Sequence, residues 1–391
     1  MLGFLLARAG VNVVVLEKHG DFLRDFRGDT IHPSTLEIMD QLGLADKFLE
    51  LPHSKLSDVN GITAGGQQIN LTLKRLRTRF PFIAFVPQWD FLSFVTAEAR
   101  SYPTFRLMMN CEVTGVIIEN GAIRGVEYDS ADGRREMRAH LTVGTDGRTS
   151  RTRECANLPM VETSPPMDVL WFRLSRKSDE PEALGGRVGA GQLAVLIDRR
   201  SYWQIAYLIP KGDGERIHGG DLENFRKRVV NLLPEMADRI SELTDWNQVK
   251  LLTVRADRLT KWYRRGYLAI GDAAHAMSPV GGVGINVAIQ DAVTAANILW
   301  EPLRIRRVTE NDLMRIQDER EMPVRLIQAG QSAIQSVLIK RVLRSSAPIQ
   351  FPRVLRVLLG IPILRDIPPR MVAFGVGRPR VRSPRLAART G

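Results

Sequence analysis

The most specific sequence signal in this 391-residue chain is the segment GYLAIGDAAHAMSPVGGVGIN, residues 266–286. Its apolar start, Tyr267 to Ile270, predicts a short buried strand that runs into Gly271-Asp272. A loop rich in glycine follows, and residues 286–300 then predict an alanine-rich helix. An aspartate at a strand end can accept hydrogen bonds from a polyol, and glycines let backbone amides approach a flat ring. Because a helix that begins after Gly284 stabilises negative charge at its amino end, the stretch predicts a ligand site.

A second stretch of the same kind is TVGTDGRTSRTR, residues 142–153. Its apolar strand delivers Asp146-Gly147 at the carboxyl end. Open α/β sheets bind their ligands at that end of the strands, so the pattern indicates a second part of the same site. The alternative is an ordinary Asp-Gly turn.

The amino-terminal region reads as part of a dinucleotide-binding unit. Residues 1–9 predict a helix ended by Gly10, and VNVVVL, residues 11–16, predicts a buried strand ending at Glu17. In such a unit the acidic residue binds ribose hydroxyls, and a glycine-rich turn lies about 20 residues earlier. The sequence opens inside the helix, so we expect the first strand and its glycine loop to be missing. A late start codon or a fragment is our hypothesis for this.

The other segments alternate between helix and strand patterns. Ser34 and Glu37 predict a capping box for a helix over 34–50, and Asn120-Gly121 and Asp132-Gly133 predict hairpin turns. Further helices are predicted over 90–99 and 222–243, and strands over 57–75, 112–119, 122–128, 135–143, 169–174 and 192–208. Residues 304–391 are predicted to be helical with proline breaks. This order predicts an α/β domain into which a β-rich unit is inserted.

The two aspartate stretches resemble the Asp-Gly and Gly-Asp motifs of flavin-dependent aromatic monooxygenases such as para-hydroxybenzoate hydroxylase, over about residues 1–300. The resemblance implies an FAD-binding, Rossmann-like domain of the glutathione-reductase type, with Asp272 on the ribityl chain and residues 279–286 against the isoalloxazine ring. It places Arg27 and Gln88 beside the flavin. The cofactor-binding residues so predicted are Glu17, Arg27, Gln88, Asp146, Gly147, Gly271, Asp272, Pro279, Gly282, Gly284, Ile285 and Asn286.

The resemblance also implies a division of the chain. The FAD-binding domain is expected to be discontinuous, over 1–56, 87–158 and 256–303. Residues 57–86 and 159–255 are expected to form the substrate domain, and 304–391 a basic helical segment.

The implied activity is hydroxylation of an aromatic or similarly electron-rich small molecule. NADPH or NADH reduces the flavin, and oxygen then forms a C4a-hydroperoxide that attacks the ring. Two alternatives stay open: a related reductase or epoxidase that acts on a lipid or polyprenyl substrate, and an inactive truncated flavoprotein.

Catalytic residues are not assigned. His275 fits a base, but a structural hydrogen bond fits it better. Trp171, Trp203 and Tyr207 fit either an aromatic substrate pocket or sheet packing, and Arg173 fits a carboxylate partner or an exposed strand position. No His, Cys, Asp or Glu set has metal-ligand spacing, so no metal is expected.

The net charge of +12 belongs to one end of the sequence. Residues 325–391 hold thirteen basic side chains and one acid, Asp366, while residues 1–324 are neutral. The charge therefore gives no reason to expect nucleic acid, but it permits membrane contact through 325–391. Two cysteines cannot form a disulfide framework, and no apolar run approaches the roughly 20 residues of a membrane span. A cytoplasmic location, with possible peripheral membrane contact, is expected.

Overall fold

A computed structural model of the chain describes residues 1–23, 30–63, 68–180, 184–345 and 365–386. Arg27, predicted to contact FAD, lies outside these residues. The described helices are α1 (Leu2–Arg8), α2 (Pro33–Gln41), α3 (Ala45–Phe48), α4 (Gln88–Arg100), α5 (Arg151–Cys155), α6 (Gly214–His218), α7 (Leu222–Leu232), α8 (Gly284–Arg304), α9 (Glu310–Ile334), α10 (Lys340–Leu343) and α11 (Ile367–Phe374). A π-helical turn, Gln335–Ile339, joins α9 to α10.

The described strands are β1 (Val13–Leu16), β2 (Thr30–Ile31), β3 (Ser54–Leu56), β4 (Asp58–Thr63), β5 (Gln68–Thr72), β6 (Ile83–Phe85), β7 (Phe105–Met108), β8 (Glu112–Glu119), β9 (Ala122–Ser130), β10 (Gly133–Arg138), β11 (Thr142–Gly144), β12 (Met160–Thr163), β13 (Met167–Ser175), β14 (Leu184–Gly189), β15 (Gln192–Asp198), β16 (Tyr202–Pro210), β17 (Lys250–Leu252), β18 (Ala256–Leu259), β19 (Tyr263–Arg264), β20 (Tyr267–Ala269) and β21 (His275–Ala276).

The α/β part of the molecule is built around helix α8. Parallel pairs join β1 to β7 and β11 to β20, as expected for strands linked by helical crossovers. The middle of α8 is buried, from Val287 to Leu299, and packs beside α1 and α9. Small side chains such as Ala292, Ala295 and Ala296 let these elements approach closely. The buried helix α8 therefore anchors the glycine-rich loop that precedes it.

A larger sheet forms the β-rich part, with strand order β17-β13-β16-β15-β14-β4-β5. Side chains alternate between its two faces. One face packs on α7, where the rings of Phe172 and Tyr207 meet Phe225 edge-on at 5.7 and 5.6 Å between centroids. The other face, with Trp171, belongs to an apolar cluster that also includes Ile339 and Leu343 of the π-helical turn and α10 and is bordered by Val280 of the glycine-rich loop.

Several local predictions are confirmed and others are wrong. Asn120 and Gly121 form the β8–β9 turn with φ of 49° and 74°, the left-handed pair that a tight hairpin needs. The predicted capping box is wrong, because α2 begins at Pro33 with His32 as its N-cap and no side-chain cap bond. Proline suits the first helical position, which places Ser34 inside the helix.

Three predicted elements have different bounds. The helix predicted over 222–243 ends at Leu232, because Pro234 follows and disfavours helical backbone in the residue before it. The strand predicted over 135–143 is two strands, β10 and β11, separated at residues 139–141. Residues 376–386, predicted to be helical, are irregular in the structure; Pro379 and Pro384 lie within them.

Residues 280–304 are long and apolar enough to cross a membrane, by length and composition alone. However, 72% of the window that meets this criterion is buried inside the protein. The segment is therefore accounted for as the core helix α8.

Candidate active site

The two predicted aspartate motifs lie at the same edge of one sheet. Strands β11 and β20 pair in parallel, with Gly144 opposite Ala269, so both chains leave the sheet in the same direction. Arg148 then joins the motifs, because its Nε donates to Asp272 Oδ2 at 3.3 Å and its Nη2 donates to the carbonyl of Met277 at 3.3 Å. The structure therefore brings the two motifs together at one edge of the sheet.

Asp272 is positioned to bind a ligand at the start of helix α8. Its side chain is 36% exposed, and a Cβ placed on Gly284 would lie 4.0 Å from its Oδ1. Helix α8 starts at Gly284 with Val283 as N-cap, no side-chain cap bond and no acid in its first turn. The first N–H groups of a helix have no partner within the helix, so this end is suited to a group that carries negative charge.

The loop between Pro279 and Gly284 is held from the amino-terminal part of the chain. Gly282 has a φ of 61°, and a Cβ there would lie 2.6 Å from Thr30 Oγ1, so only glycine fits. Thr30 Oγ1 donates to the carbonyl of Gly282 at 2.8 Å. The loop is therefore held in place by Thr30.

Asn286, predicted to contact the cofactor, uses its side chain inside the fold. Its Nδ2 donates to the carbonyl of Thr30 at 3.0 Å. Its Oδ1 accepts from the backbone N–H of His32 at 2.9 Å and from Thr35 Oγ1 at 2.7 Å. The side chain thus ties α8 to α2, and a cofactor contact from this residue would come from its backbone.

Asp291 supports the loop from beneath and is fully buried. Its Oδ2 accepts from the N–H of Gly271 at 3.0 Å and lies 2.6 Å from His275 Nε2. Its Oδ1 accepts from Arg320 Nε at 2.8 Å. Burial alone would raise the pKa of Asp291, but the charges and hydrogen bonds of His275 and Arg320 hold that pKa below its ordinary value.

His275 therefore fits the structural role rather than that of a base. Its side chain is 1% exposed, and its ring lies against Trp262 at 4.9 Å between centroids. Through Asp291 it belongs to the support of Gly271, the residue just before Asp272.

The carboxylate of Asp146 is also used inside the fold. Its Oδ1 accepts from Ser150 Oγ at 2.5 Å and Thr152 Oγ1 at 2.8 Å, and its Oδ2 accepts from the Thr152 N–H at 2.9 Å. These bonds shape the turn that begins α5 and carries Gly147 and Arg148. The predicted contact of Asp146 with FAD would then be indirect, through the turn.

Two other predicted residues lie on neighbouring elements. Glu17 follows β1, and its Oε1 accepts from the N–H of His19 at 3.0 Å. Gln88 begins α4, three residues after Phe85, which is the partner of Thr30 in the β2–β6 pair. Gln88 is thus on the same side of the molecule as the loop that Thr30 holds.

Helix α9 contributes a group of residues that the sequence analysis missed. Gln328 and Gln331 lie on its buried side, and Gln335 lies on the π-helical turn that follows. Their side-chain amides donate to β18 and to the segment that leads into α8. The acceptors are the carbonyls of Asp257, Ala276, Ser278 and Val280 and the hydroxyl of Ser278, at 2.5–3.2 Å. The spacing of Gln328, Gln331 and Gln335 by three and four residues places them on one helix face, and this could have indicated their shared role from the sequence.

The arrangement fits FAD. A half-exposed aspartate suits the hydroxyls of a ribityl chain, and the uncapped start of α8 suits the pyrimidine edge of a flavin ring. The FAD binding domain family matches residues 1–321, more than four fifths of the chain. The chain belongs to the FAD binding domain family.

Several curated relatives of this flavoprotein are monooxygenases. The chain is 28% identical to 6-methylpretetramide 4-monooxygenase of Streptomyces rimosus, over 98% of the chain and 91% of that protein. It is 27% identical to rifampicin monooxygenase of Streptomyces venezuelae, over 77% of the chain, but spans only 61% of that protein. PqsL of Pseudomonas aeruginosa, solved with 2-aminobenzoylacetate, shares the fold with a TM-score of 0.75 at 21% identity, over 88% of this chain and 94% of PqsL.

These findings confirm four predictions: the flavin-dependent monooxygenase family, the α/β fold class, FAD as the cofactor and the oxidoreductase class of enzyme. The individual cofactor contacts and the domain boundaries stay predictions.

Proposed function

We propose that this flavoprotein hydroxylates an aromatic or similarly electron-rich small molecule, with NADPH or NADH as electron donor and oxygen as oxidant. The observation that carries the proposal is the apolar wall opposite the flavin loop. On that face of the large sheet, Trp171, Val195 and Val280 of the loop border one apolar cluster, together with the buried side chains of Ile339 and Leu343. A flat apolar substrate placed there would lie between the sheet and the flavin ring.

The three aromatic candidates fall on different faces. Trp203 and Tyr207 face α7 and are buried in the cluster behind the sheet, so they serve as packing. Trp171 lies on the wall that faces the loop, and its indole Nε1 is buried without a hydrogen-bond partner in the described structure. A buried N–H without a partner is costly, and a polar atom of a substrate would satisfy it.

Arg173 lies two residues along the same strand, with its guanidinium 5.4 Å from the centre of the Tyr202 ring. Alternation puts it on the face that carries Trp171. It is the cation on β13 closest in sequence to Trp171, and it is the residue we expect to meet an anionic substrate group.

The protein's own contribution to the reaction is binding and electrostatics. Bound FAD supplies the redox chemistry with NAD(P)H and oxygen. Asp272 orients the cofactor through hydrogen bonds, Arg148 fixes Asp272, and the start of α8 stabilises negative charge on the flavin ring. The cluster around Trp171 and Val280 excludes water from the reacting atoms.

The test is a turnover assay on the FAD-loaded protein with a panel of phenols and aminobenzoyl compounds. We expect NAD(P)H oxidation and oxygen uptake to rise with one class of compound and a hydroxylated product to form. Trp171→Leu should weaken that stimulation while FAD affinity is unchanged. Leu251→Ala, on the same sheet, is the matched control.

Two results would overturn the proposal. A protein without flavin absorbance, even after FAD is added, would be a flavin-free remnant. Turnover that occurs only with a vesicle-borne polyene would favour a lipid epoxidase; one curated relative is squalene epoxidase 1 of Arabidopsis thaliana, at 25% identity.

A further inference from the structure

Helix α9 and the π-helical turn after it carry an exposed apolar stripe on the side away from the flavin loop. Met322, Leu326, Ile334 and Val337 are between 46% and 70% exposed. At 100° per residue these positions fall on one side of a helix, opposite the buried glutamines. From residue 322 to residue 337 the stripe runs roughly 22 Å, at 1.5 Å per residue.

Helix α11 widens the stripe. A Cβ placed on Gly330 would lie 3.6 Å from Met371 Cε, so α11 packs beside the middle of α9. Ile367 and Met371 are also exposed, at 45% and 38%. The six apolar side chains on α9, the π-helical turn and α11 are called the apolar stripe below.

The charges along the apolar stripe change from acidic at its beginning, where Glu321 lies 3.7 Å from Arg325, to basic at its end. The first part of α9 is acidic, with Glu310, Asp312, Asp318, Glu319 and Glu321. From residue 322 to residue 345 the sequence contains no acid. The exposed basic side chains that border the stripe are Arg325, Lys340, Arg341, Arg344 and Arg370. Asp366 is the one acid at this end, and it lies beside Arg365 at 3.9 Å.

We propose that the apolar stripe and its basic border dock this flavoprotein on an anionic lipid surface. An exposed apolar strip bordered by Arg and Lys is the arrangement that binds the interface of an anionic bilayer. A second copy docked through the basic end, residues 340–344, would bring like charges together, whereas anionic lipid headgroups complement these charges. The basic end of the stripe, from Leu326 to Val337 with α11 beside it, would meet the lipid, and not Met322, which follows Asp318 and Glu319 by four and three residues.

The position of the stripe links docking to the site. The same helix holds the flavin loop from its inner side through Gln331, and the π-helical turn adds a bond from Gln335 to Ser278. A lipid surface on the outer side would therefore lie one helix diameter from the loop, about 10 Å.

The experiment is co-sedimentation of the FAD-loaded protein with phosphatidylcholine vesicles that contain or lack phosphatidylserine. We expect binding to the anionic vesicles alone, weakened by salt because the charged part is screened. Leu326→Gln/Val337→Gln should reduce binding about tenfold, since two apolar contacts are lost. Arg341→Gln/Arg344→Gln should reduce it by a similar factor.

Matched control variants distinguish binding through the apolar stripe from nonspecific binding through any exposed apolar or basic side chain. Ile118→Gln/Ile305→Gln removes two apolar side chains that are equally exposed elsewhere, at 50% and 59%. Arg106→Gln/Arg135→Gln removes the same charge from distant strands. Both should bind like the unaltered protein, and thermal melts should show all four variants folded.

Three results would overturn the proposal. Equal loss in stripe and control variants would mean attraction by net charge alone. Equal binding to neutral vesicles would remove the need for the basic border. A concentration-dependent dimer in light scattering, abolished by Leu326→Gln/Val337→Gln, would assign the stripe to a second copy.

Discussion

Strands β11 and β20 end side by side, and each delivers an aspartate, yet the two carboxylates do different work. Asp146 accepts three hydrogen bonds from its own turn, through Ser150 and Thr152. Asp272 is half-exposed beside the start of α8 and is held by Arg148. One carboxylate builds the site and the other is available to a ligand. The difference lies in the residues that follow each aspartate: Ser150 and Thr152 can donate back to Asp146, whereas alanines follow Asp272.

Of the three aspartates around the site, the fully buried Asp291 should lower the free energy of unfolding most when it is removed. Asp291→Ala should lower the free energy of unfolding by about 3–5 kcal/mol, because Arg320 and His275 stay buried without their partner. Denaturant unfolding of the FAD-free protein measures the loss. Asp318→Ala, an exposed aspartate on α9, should change it by less than about 0.5 kcal/mol. A loss below about 1 kcal/mol for Asp291→Ala would mean that the loop is held without this network.

Buried His32 makes the free energy of unfolding depend on pH. Burial lowers its pKa from 6.5 to about 4. Its Nδ1 lies 2.6 Å from the carbonyl of Val372. Between these values the unfolded chain binds a proton that the folded chain excludes, so stability falls as the pH drops from 6.5 towards 4 and is regained as the pH rises. The loss should reach about 3 kcal/mol.

Denaturant unfolding at several pH values measures this slope. His32→Asn keeps a donor for Val372 but cannot titrate, so the part of the slope due to His32 should vanish. An unchanged slope in that variant would assign the titration to other groups.

Asp146→Ala should cost less than Asp291→Ala, about 2 kcal/mol, because three hydrogen bonds are lost and the backbone N–H of Thr152 loses its partner, while the hydroxyls of Ser150 and Thr152 keep other partners. Asp179→Ala, on an exposed loop, is the matched control. If FAD affinity falls while the free energy of unfolding does not, then Asp146 contacts the cofactor and the division between the two carboxylates fails.

Asp272→Ala should have the smallest effect on folding, within about 1 kcal/mol, and a clear effect on FAD. Loss of a charged hydrogen bond should weaken FAD binding by about tenfold or more. Titration of the protein with FAD, followed by flavin fluorescence, measures the affinity, and Asp146→Ala is the paired control. Equal FAD affinity in the Asp272→Ala variant and the unaltered protein would remove Asp272 from the cofactor site.

The sequence predicted those features of the site that depend on residues adjacent in the chain. The apolar run before Asp272, the glycines after it and the Asn120-Gly121 turn depend on neighbouring residues. The clamp of Asn286 on Thr30 and the bond of Arg320 to Asp291 join residues that are far apart in sequence. Strand alternation alone also could not say which face of the large sheet α7 covers, so Trp171 and Trp203 could not be told apart before the helix was placed.

The glutamines of α9 hold the flavin loop chiefly by its main chain. Carbonyl oxygens are the same for every amino acid, so Gln331 would grip residues 278 and 280 whatever side chains they carried. Val280 can therefore be exchanged to reshape the wall that faces the sheet without releasing the loop. The side chain at position 280 can therefore be redesigned to change substrate selectivity without weakening the hydrogen bonds that hold the loop.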